Sequence, residues 1–212
     1  MIRLPVVNRT ILAQCRAGAG ALGLVAVGVQ FVAAAQTPHF NPANFFGYFT
    51  ILSNIFAALV LVYAALRRTT PSHRLDVLRG AATVCMVLVG IVFSLLLAAL
   101  ESDIVPWVNA VVHYVMPVVL AIDWLIDPPR QRLTMRDGFW WLVFPLVYLI
   151  YTLIRGAIVH WYPYPFLDVA QTGAAMVGTY VLAIFAAASI LVSVVMGIGN
   201  RLRTLAPLSP RA

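Results

Sequence analysis

The sequence has little charge and few residues that bind metals or form disulfides. Its 212 residues include 14 basic and 7 acidic side chains, 4 histidines and 2 cysteines, and every basic residue is an arginine. The two cysteines, Cys15 and Cys85, have no metal-ligand spacing and cannot form a framework of disulfides. We therefore predict that the chain has neither a metal site nor a disulfide scaffold.

Long apolar segments dominate what is present. The chain is 62% hydrophobic and its mean hydropathy is +0.93, values typical of polytopic membrane proteins. A membrane helix needs roughly 20 mainly apolar residues. Six segments meet this length, and no polar linker divides them. We predict an all-α bundle of six transmembrane helices, forming one integral membrane domain over residues 1–212, with helices at about 17–36, 44–66, 77–100, 107–127, 138–158 and 171–199.

The arginines lie mainly between the apolar segments. A net charge of +7 would suggest nucleic-acid binding in a soluble protein, but orientation in a membrane explains it better. Thirteen of the fourteen arginines fall on one side of the six-span arrangement, and Arg155 is the exception. The opposite loops contain Glu101, Asp103 and Asp168. The positive-inside rule predicts a multi-pass protein of the cell membrane with cytoplasmic N and C termini and no nucleic-acid partner.

The first apolar segment has two other interpretations. Its basic start and the small residues Ala33-Ala34-Ala35 resemble a cleaved signal peptide, although the apolar run is long for one. The stretch Gly18-Ala-Gly-Ala-Leu-Gly23 also fits a dinucleotide-binding pattern. Since no strand precedes it, close packing of helices through small residues is the better interpretation.

Hydrogen-bonding side chains recur in the second and fourth predicted helices. Thr50, Ser53 and Asn54 share one helix face, as do Asn109 and His113, because residues three and four apart are neighbours. Both helices run inward from the outer side. Thr50 and His113 each lie about six residues in, or roughly 9 Å deep at 1.5 Å per residue. Contact between these helices would therefore bring the hydroxyl and the imidazole together.

This pair has the chemistry of a nucleophile and its base. A hydroxyl is a weak nucleophile until a base removes its proton, and histidine has an unperturbed pKa of about 6.5. We predict that Thr50 attacks and His113 accepts the proton in acyl transfer or ester hydrolysis. Candidate substrate-binding or orienting residues, which would place the base, stabilise an oxyanion or hold a carboxylate, are Ser53, Asn54, Asn109, Arg155, His160 and Asp168.

Structural roles are open for the same residues. Membrane threonines often bond their own backbone, buried histidines are often structural, and Asn54 and Asn109 could hold helices together. Arg155 could extend to the outer headgroups, and Asp123 and Asp127 could cap a helix or pair with loop arginines. Residues 160–168 contain two prolines and several aromatics, which predicts a cap folded back onto the bundle instead of a continuous helix.

Three short motifs carry a family resemblance. They are Phe49-Thr50, Asn109-Ala-Val-Val-His113 and Tyr164-Pro-Phe-Leu-Asp168, with Asp123 ten residues after the histidine. In these motifs the chain resembles a bacterial relative of the androgen-induced-gene-product family of six-span membrane proteins. Pro117 lies one residue nearer the histidine than in the animal pattern.

The resemblance implies a threonine hydrolase acting on a lipid ester, because animal members hydrolyse fatty acid esters of hydroxy fatty acids. It assigns Thr50 as nucleophile and His113 as base, with no cofactor. The expected partners are a fatty-acyl ester substrate and membrane lipids. A second hypothesis is a non-enzymatic transporter, lipid-binding protein or complex subunit that uses the same polar pocket.

Overall fold

The computed structural model describes residues 8–67, 70, 72–100 and 104–205. All regular structure within these ranges is helical, and six of the helices are long and apolar enough to cross a membrane. The predicted all-α, six-span fold class is thus confirmed. In chain order the helices are α1 Arg9–Ala35, α2 Pro42–Phe45, α3 Phe49–Leu66, α4 His73–Leu97, α5 Pro106–Ile126, α6 Met135–Val159, α7 Val169–Thr172 and α8 Ala174–Leu205. The predicted acidic turn at Glu101 and Asp103 lies outside the described residues, as do Arg3, Arg68 and Arg211.

Three of the spanning helices begin earlier than their hydrophobicity predicted, because polar residues cap their first turns. The Asn8 side chain accepts hydrogen bonds from two backbone amides of α1, and Ser72 accepts one from Leu75 in α4. At α6, Thr134 and Asp137 form a reciprocal capping box. Such caps satisfy amides that have no partner within the helix, so a helix can extend beyond its apolar stretch.

The predicted helix 44–66 is two helices. The short helix α2 begins with its N-cap Asn41 and ends at Phe45, and the chain turns before α3 begins at Phe49. A Cβ at Gly47 would approach the Asn44 carbonyl oxygen to 2.9 Å, so the turn needs glycine there. At the other end of the chain, Gly173 (φ +82°) separates α7 from α8.

Small residues allow α1 and α3 to pack closely. A Cβ added to Gly20 would lie 2.8 Å from the Ala58 carbonyl oxygen, and one added to Gly23 would lie 2.9 Å from the Met116 methyl group. The same addition at Gly18 meets nothing within 4 Å. The packing interpretation of this glycine-rich stretch is therefore confirmed, with Gly20 and Gly23 as the contact positions.

One end of the bundle contains a buried network of ion pairs. Arg16 pairs with Asp123 at 2.6 Å and with Asp127 at 2.8 Å, and Arg79 pairs with Asp123 at 2.8 Å. Arg9 reaches Asp127 from the rim at 2.7 Å. Since these residues belong to α1, α4 and the end of α5, the network joins three spanning helices. The hypothesis that Asp123 and Asp127 pair with arginines is confirmed, but these arginines belong to helices and not to loops.

The start of α1 and the end of α8 lie at this same end of the bundle. Asn200, near the end of α8, exchanges two hydrogen bonds with Leu133, which follows Asp127 after a short loop. The outer faces of α6 and α8 expose large apolar side chains, such as Ile158 at 71% and Leu182 at 71%. Such faces are suited to contact with lipid.

Candidate functional site

A cavity of about 600 Å³ lies at the end of the bundle opposite the ion pairs. It is lined by the chain between α1 and α3, by α4 and α5, and by the segment after α6. Three candidate residues line it: Thr50, His113 and Asp168. Gln30, Asn44 and Gln171 add further polar groups to its wall. The structure thus brings the predicted nucleophile and the predicted base to one cavity, which we call the polar cavity because these polar groups are set into an otherwise largely apolar wall.

The position of His113 depends on a wide helical turn. Within α5 the residues Val111–Val115 form a π-helical turn, a feature that recurs at functional sites. The His113 ring is buried and stacks on Phe93, with centroids 3.7 Å apart and planes 11° apart. Phe93 begins a second π-helical turn, Phe93–Leu97, at the end of α4. The two π-helical turns therefore meet at the stacked rings of His113 and Phe93.

Asn109 fixes which nitrogen of His113 carries the proton. The His113 Nδ1 atom lies 2.7 Å from Asn109 Oδ1 and 3.2 Å from the Asn109 backbone oxygen. Both oxygens are acceptors, so Nδ1 is the donor, and in the neutral ring Nε2 carries the lone pair. The ring is thereby held in the form that can accept a proton at Nε2.

Thr50 is the second residue of α3 and lies between two cavities. The first is the polar cavity of His113. The second is a narrow apolar pocket of about 90 Å³ enclosed by α4, α6 and α8, whose wall includes Val92, Pro145 and Ile184. The Thr50 hydroxyl lies 3.5 Å from the Tyr164 hydroxyl. Thr50 therefore lines both cavities, of which the cavity of His113 is the more polar.

The depth argument from the sequence needs correction. It placed Thr50 about six residues into its helix, but α3 begins at Phe49 because the chain turns at Gly47 and Tyr48. His113 is the eighth residue of α5, counted from Pro106. The two side chains reach one cavity although they lie at different positions along their helices. Among the described residues, the side-chain hydrogen bond of Thr50 runs to Tyr164 and those of His113 run to Asn109. No hydrogen bond joins Thr50 and His113 directly.

Asn54 and Ser53 are fully buried beside Thr50. The Asn54 amide donates to the Thr50 carbonyl at 2.9 Å and to the Val112 carbonyl at 3.1 Å. This second bond crosses from α3 to the π-helical turn of α5, so the two helices are in contact. Within the part of the chain described, the Ser53 hydroxyl and the Asn54 Oδ1 atom have no hydrogen-bond partner.

Arg155 lies behind the cavity wall. Its guanidinium donates to Asn44 Oδ1 at 2.6 Å and lies 5.2 Å from the centroid of the Trp161 ring. Both Asn44 and Trp161 line the polar cavity. Arg155 therefore holds two residues of the cavity wall together.

His160 lies at the end of one helix, and Asp168 lies just before the start of another. His160 is exposed and terminates α6 in a left-handed conformation (φ 54°). It is not among the residues that line either cavity. Asp168 lines the polar cavity and accepts hydrogen bonds from the amides of Ala170 and Gln171 at the start of α7. Its carboxylate thus has a capping role as well as a place in the wall.

The segment between these two residues folds back onto the bundle. Tyr164, Phe166 and Leu167 are buried, which confirms the predicted cap. Tyr164 was predicted only as part of a motif and not as a site residue. Its hydroxyl nevertheless contacts Thr50, and its ring lines both cavities. The periodicity of the sequence gave no sign of this contact because it depends on how an irregular segment folds.

Comparisons of the chain with protein-family models, curated proteins and solved structures find no match. The geometry of the cavity and its residues is therefore the basis for a functional proposal.

Proposed function

We propose that the protein is a membrane-embedded threonine hydrolase that cleaves a lipid ester, such as a fatty acid ester of a hydroxy fatty acid. Thr50 is the nucleophile and His113 is the base. The observation that carries the proposal is the location of Thr50 between a polar cavity that contains His113 and an apolar pocket. The resemblance of the motifs around Thr50 and His113 to a family of lipid-ester hydrolases points to the same chemistry.

The two cavities suit the two sides of a lipid ester. An ester carbonyl at Thr50 would extend its acyl chain into the apolar pocket beside Val92 and Ile184. The alcohol side would then occupy the larger polar cavity. A carboxylate on that side would be attracted to Arg155, whose fork of N–H groups suits carboxylates.

In the reaction, the Thr50 oxygen forms a bond to the ester carbonyl carbon while its proton passes to His113 Nε2. The carbonyl oxygen takes the negative charge and returns it as the bond to the alcohol oxygen breaks. The protonated His113 gives its proton to the departing alcohol. Water, activated by His113, then attacks the acyl-threonine, so that the fatty acid is released and Thr50 recovers its proton.

The test is hydrolysis of a fatty acid ester of a hydroxy fatty acid by purified protein in detergent. Thr50→Val keeps the side-chain shape and removes the hydroxyl, and His113→Asn removes the base. We expect each to lower kcat by at least about a hundredfold, because nucleophile and base act as one unit. Full activity in a folded Thr50→Val protein would disprove the nucleophile.

Matched controls separate chemistry from folding. Thr83→Val removes a buried hydroxyl that donates to its own helix at Arg79, at the other end of the bundle. His39→Asn removes an exposed histidine from a left-handed turn (φ 65°) that asparagine tolerates. Both controls should retain activity close to that of the wild type.

The ion pairs weigh against the transporter hypothesis. A substrate path across the membrane would have to pass the end of the bundle at which Asp123 is buried between Arg16 and Arg79. Opening it would break charge pairs in a region of low dielectric, which is costly. The transporter hypothesis would be favoured over the hydrolase if the protein hydrolysed esters of no chain length and yet transported a solute into vesicles.

The proposed location is the cell membrane, with the arginine-rich end and both termini in the cytoplasm, since arginine accumulates on that side. A chain without its native cysteines, carrying Thr37→Cys or Arg132→Cys, tests this orientation. A membrane-impermeant maleimide added to intact cells should label position 37 and leave position 132 unlabelled until the cells are lysed. The reverse pattern would invert the topology.

A further inference from the structure

The Tyr164 hydroxyl lies directly over the start of α3. Its oxygen is 3.3 Å from the Thr50 backbone nitrogen and 3.5 Å from Thr50 Oγ1. The ring is buried and fixed on two sides. It stacks on Phe166, with centroids 5.2 Å apart and planes 2° apart, and it meets the edge of Tyr48 at 5.7 Å. The hydroxyl therefore has a defined place beside the proposed nucleophile.

The direction of the first hydrogen bond follows from what each atom can do, whereas in the second either hydroxyl can be the donor. A backbone N–H can only donate, so the Tyr164 oxygen accepts from the Thr50 amide. This amide is among the first of α3, which lack partners within the helix. Since the oxygen of Tyr164 is used as an acceptor, its own proton is available to be donated to Thr50 Oγ1.

A hydrogen bond donated by Tyr164 orients the Thr50 hydroxyl. A threonine oxygen that accepts from Tyr164 directs its own proton elsewhere, and the polar cavity beside Thr50 contains His113. When that proton is lost, the oxygen gains negative charge, and a hydrogen bond to it becomes stronger. We propose that Tyr164 is a positioning residue that directs the Thr50 proton toward His113 and stabilises the Thr50 oxygen as it becomes charged.

This inference rests on the proposed function, in which Thr50 is the nucleophile. Tyr164 must be protonated to act in this way. Burial raises the pKa of Tyr164, and its hydrogen bonds with Thr50 only partly oppose this effect. The tyrosine therefore keeps its proton throughout the neutral range and can donate it.

The test uses Tyr164→Phe, which removes the hydroxyl and keeps the ring. Tyr180→Phe is the matched control, because the Tyr180 ring also packs on Phe166, at 5.7 Å, and lines neither cavity. Purified proteins are mixed with p-nitrophenyl butyrate, and acylation of Thr50 is followed by mass spectrometry at short times. Steady-state kcat and KM are measured in parallel.

We expect Tyr164→Phe to acylate roughly 10- to 100-fold more slowly, as for the loss of a hydrogen bond to a developing charge. KM should change less than twofold, and Tyr180→Phe should match the wild type. Acylation of Tyr164→Phe at the wild-type rate would overturn the inference while leaving Thr50 as nucleophile. Absence of any acyl-Thr50 in the wild type would instead overturn the proposed function.

A second variant keeps the question decidable if Tyr164→Phe does not fold. A fluorinated tyrosine at position 164 preserves shape and hydroxyl but ionises at lower pH. Because an ionised phenol cannot donate, the alkaline limb of the pH–rate profile should move to lower pH. An unchanged alkaline limb would show that Tyr164 acts only as a packing residue.

Discussion

The Asn54 side chain connects the helix of the proposed nucleophile to the helix of the proposed base. Its amide joins the Thr50 carbonyl in α3 to the Val112 carbonyl in α5, next to His113. The Val112 bond crosses between helices inside an apolar core. Such bonds contribute only about 0.6 kcal/mol on average in membrane proteins, but this one also sets the distance between two reacting groups.

Asn54→Ala should therefore affect both stability and turnover. We expect the free energy of unfolding in detergent to fall by about 1–2 kcal/mol, because the amide bonds are lost and a small cavity forms. Ester hydrolysis should fall about tenfold or more, since small displacements of catalytic groups are costly. Chemical denaturation and steady-state kinetics measure the two effects.

Asn200→Ala is the control for this variant. Asn200 also makes two hydrogen bonds between elements, to the backbone of Leu133, but at the far end of the bundle. The Asn200→Ala variant should lose a similar amount of stability and keep the kcat of the wild type. Equal losses of activity in both variants would mean that Asn54 acts through stability alone.

Residue types could be predicted from the sequence better than their contacts could. The polar faces at Thr50 and His113 stood out because lipid-facing helices are apolar, and the structure places both on one cavity. The contact between Thr50 and Tyr164 could not be predicted in the same way. It depends on an irregular segment that has no periodicity and is held by ring packing.

At the scale of elements, the bundle depends on how closely α1 approaches α3. Gly20 is a point of close approach, because a Cβ there would lie 2.8 Å from a backbone oxygen of α3 and 2.8 Å from Val62 Cγ2. A backbone oxygen cannot move aside as the end of a side chain can. The separation of the two helices is therefore set by the absence of a side chain.

Gly20→Ala should lower thermal stability, and Gly18→Ala should not. The first change forces α1 away from α3, with an expected cost of about 1–3 kcal/mol for overpacking. The second adds the same methyl group to the same helix, in open space, where alanine is the better helix former. The melting temperatures of the two variants in detergent test this difference, and equal melting temperatures would contradict it.

The sequence predicted the number of long helices better than it predicted where each helix begins. Six apolar runs of membrane length gave six spanning helices, because the membrane requirement for about 20 apolar residues is strict. The starts at Arg9 and His73 were missed because side-chain caps, not hydrophobicity, set them. The π-helical turns Phe93–Leu97 and Val111–Val115 were also missed, since their sequences are ordinary apolar stretches.

Across the whole molecule, charge is concentrated at one end and the candidate site lies at the other. The ion-pair network combines the carboxylates of Asp123 and Asp127 with Arg16 and Arg79, all largely removed from solvent. Buried ion pairs stabilise little compared with apolar packing, but removing one partner is expensive because the other charge remains. The network therefore enforces one arrangement of α1, α4 and α5.

Two arginines of this network provide a matched comparison. The side chain of Arg79 is 3% exposed, whereas that of Arg9 is 41% exposed. Arg79→Gln should lower the free energy of unfolding by about 3–5 kcal/mol, because it leaves buried carboxylates unpaired. Arg9→Gln should cost at most about 1 kcal/mol, as for a surface pair. Denaturation in detergent measures both, and similar losses would mean that burial does not govern the network.

The pH dependence of stability gives a separate test at Asp127. Burial opposes its ionisation, but Arg79, Arg16 and Arg9 outweigh burial and lower the pKa of Asp127 from 3.8 to about 2. A carboxyl whose pKa is lower in the folded state stabilises the fold fully above its unfolded pKa, and this contribution is lost as the pH falls through the folded pKa.

Asp127→Asn should therefore be less stable than the wild type by a constant amount between about pH 5 and pH 7. The difference should shrink from about pH 4 and vanish below about pH 2, because both proteins then carry a neutral side chain at position 127. Unfolding midpoints at matched pH values measure this difference, and one that widened on acidification would show that the carboxylate is not the stabilising form.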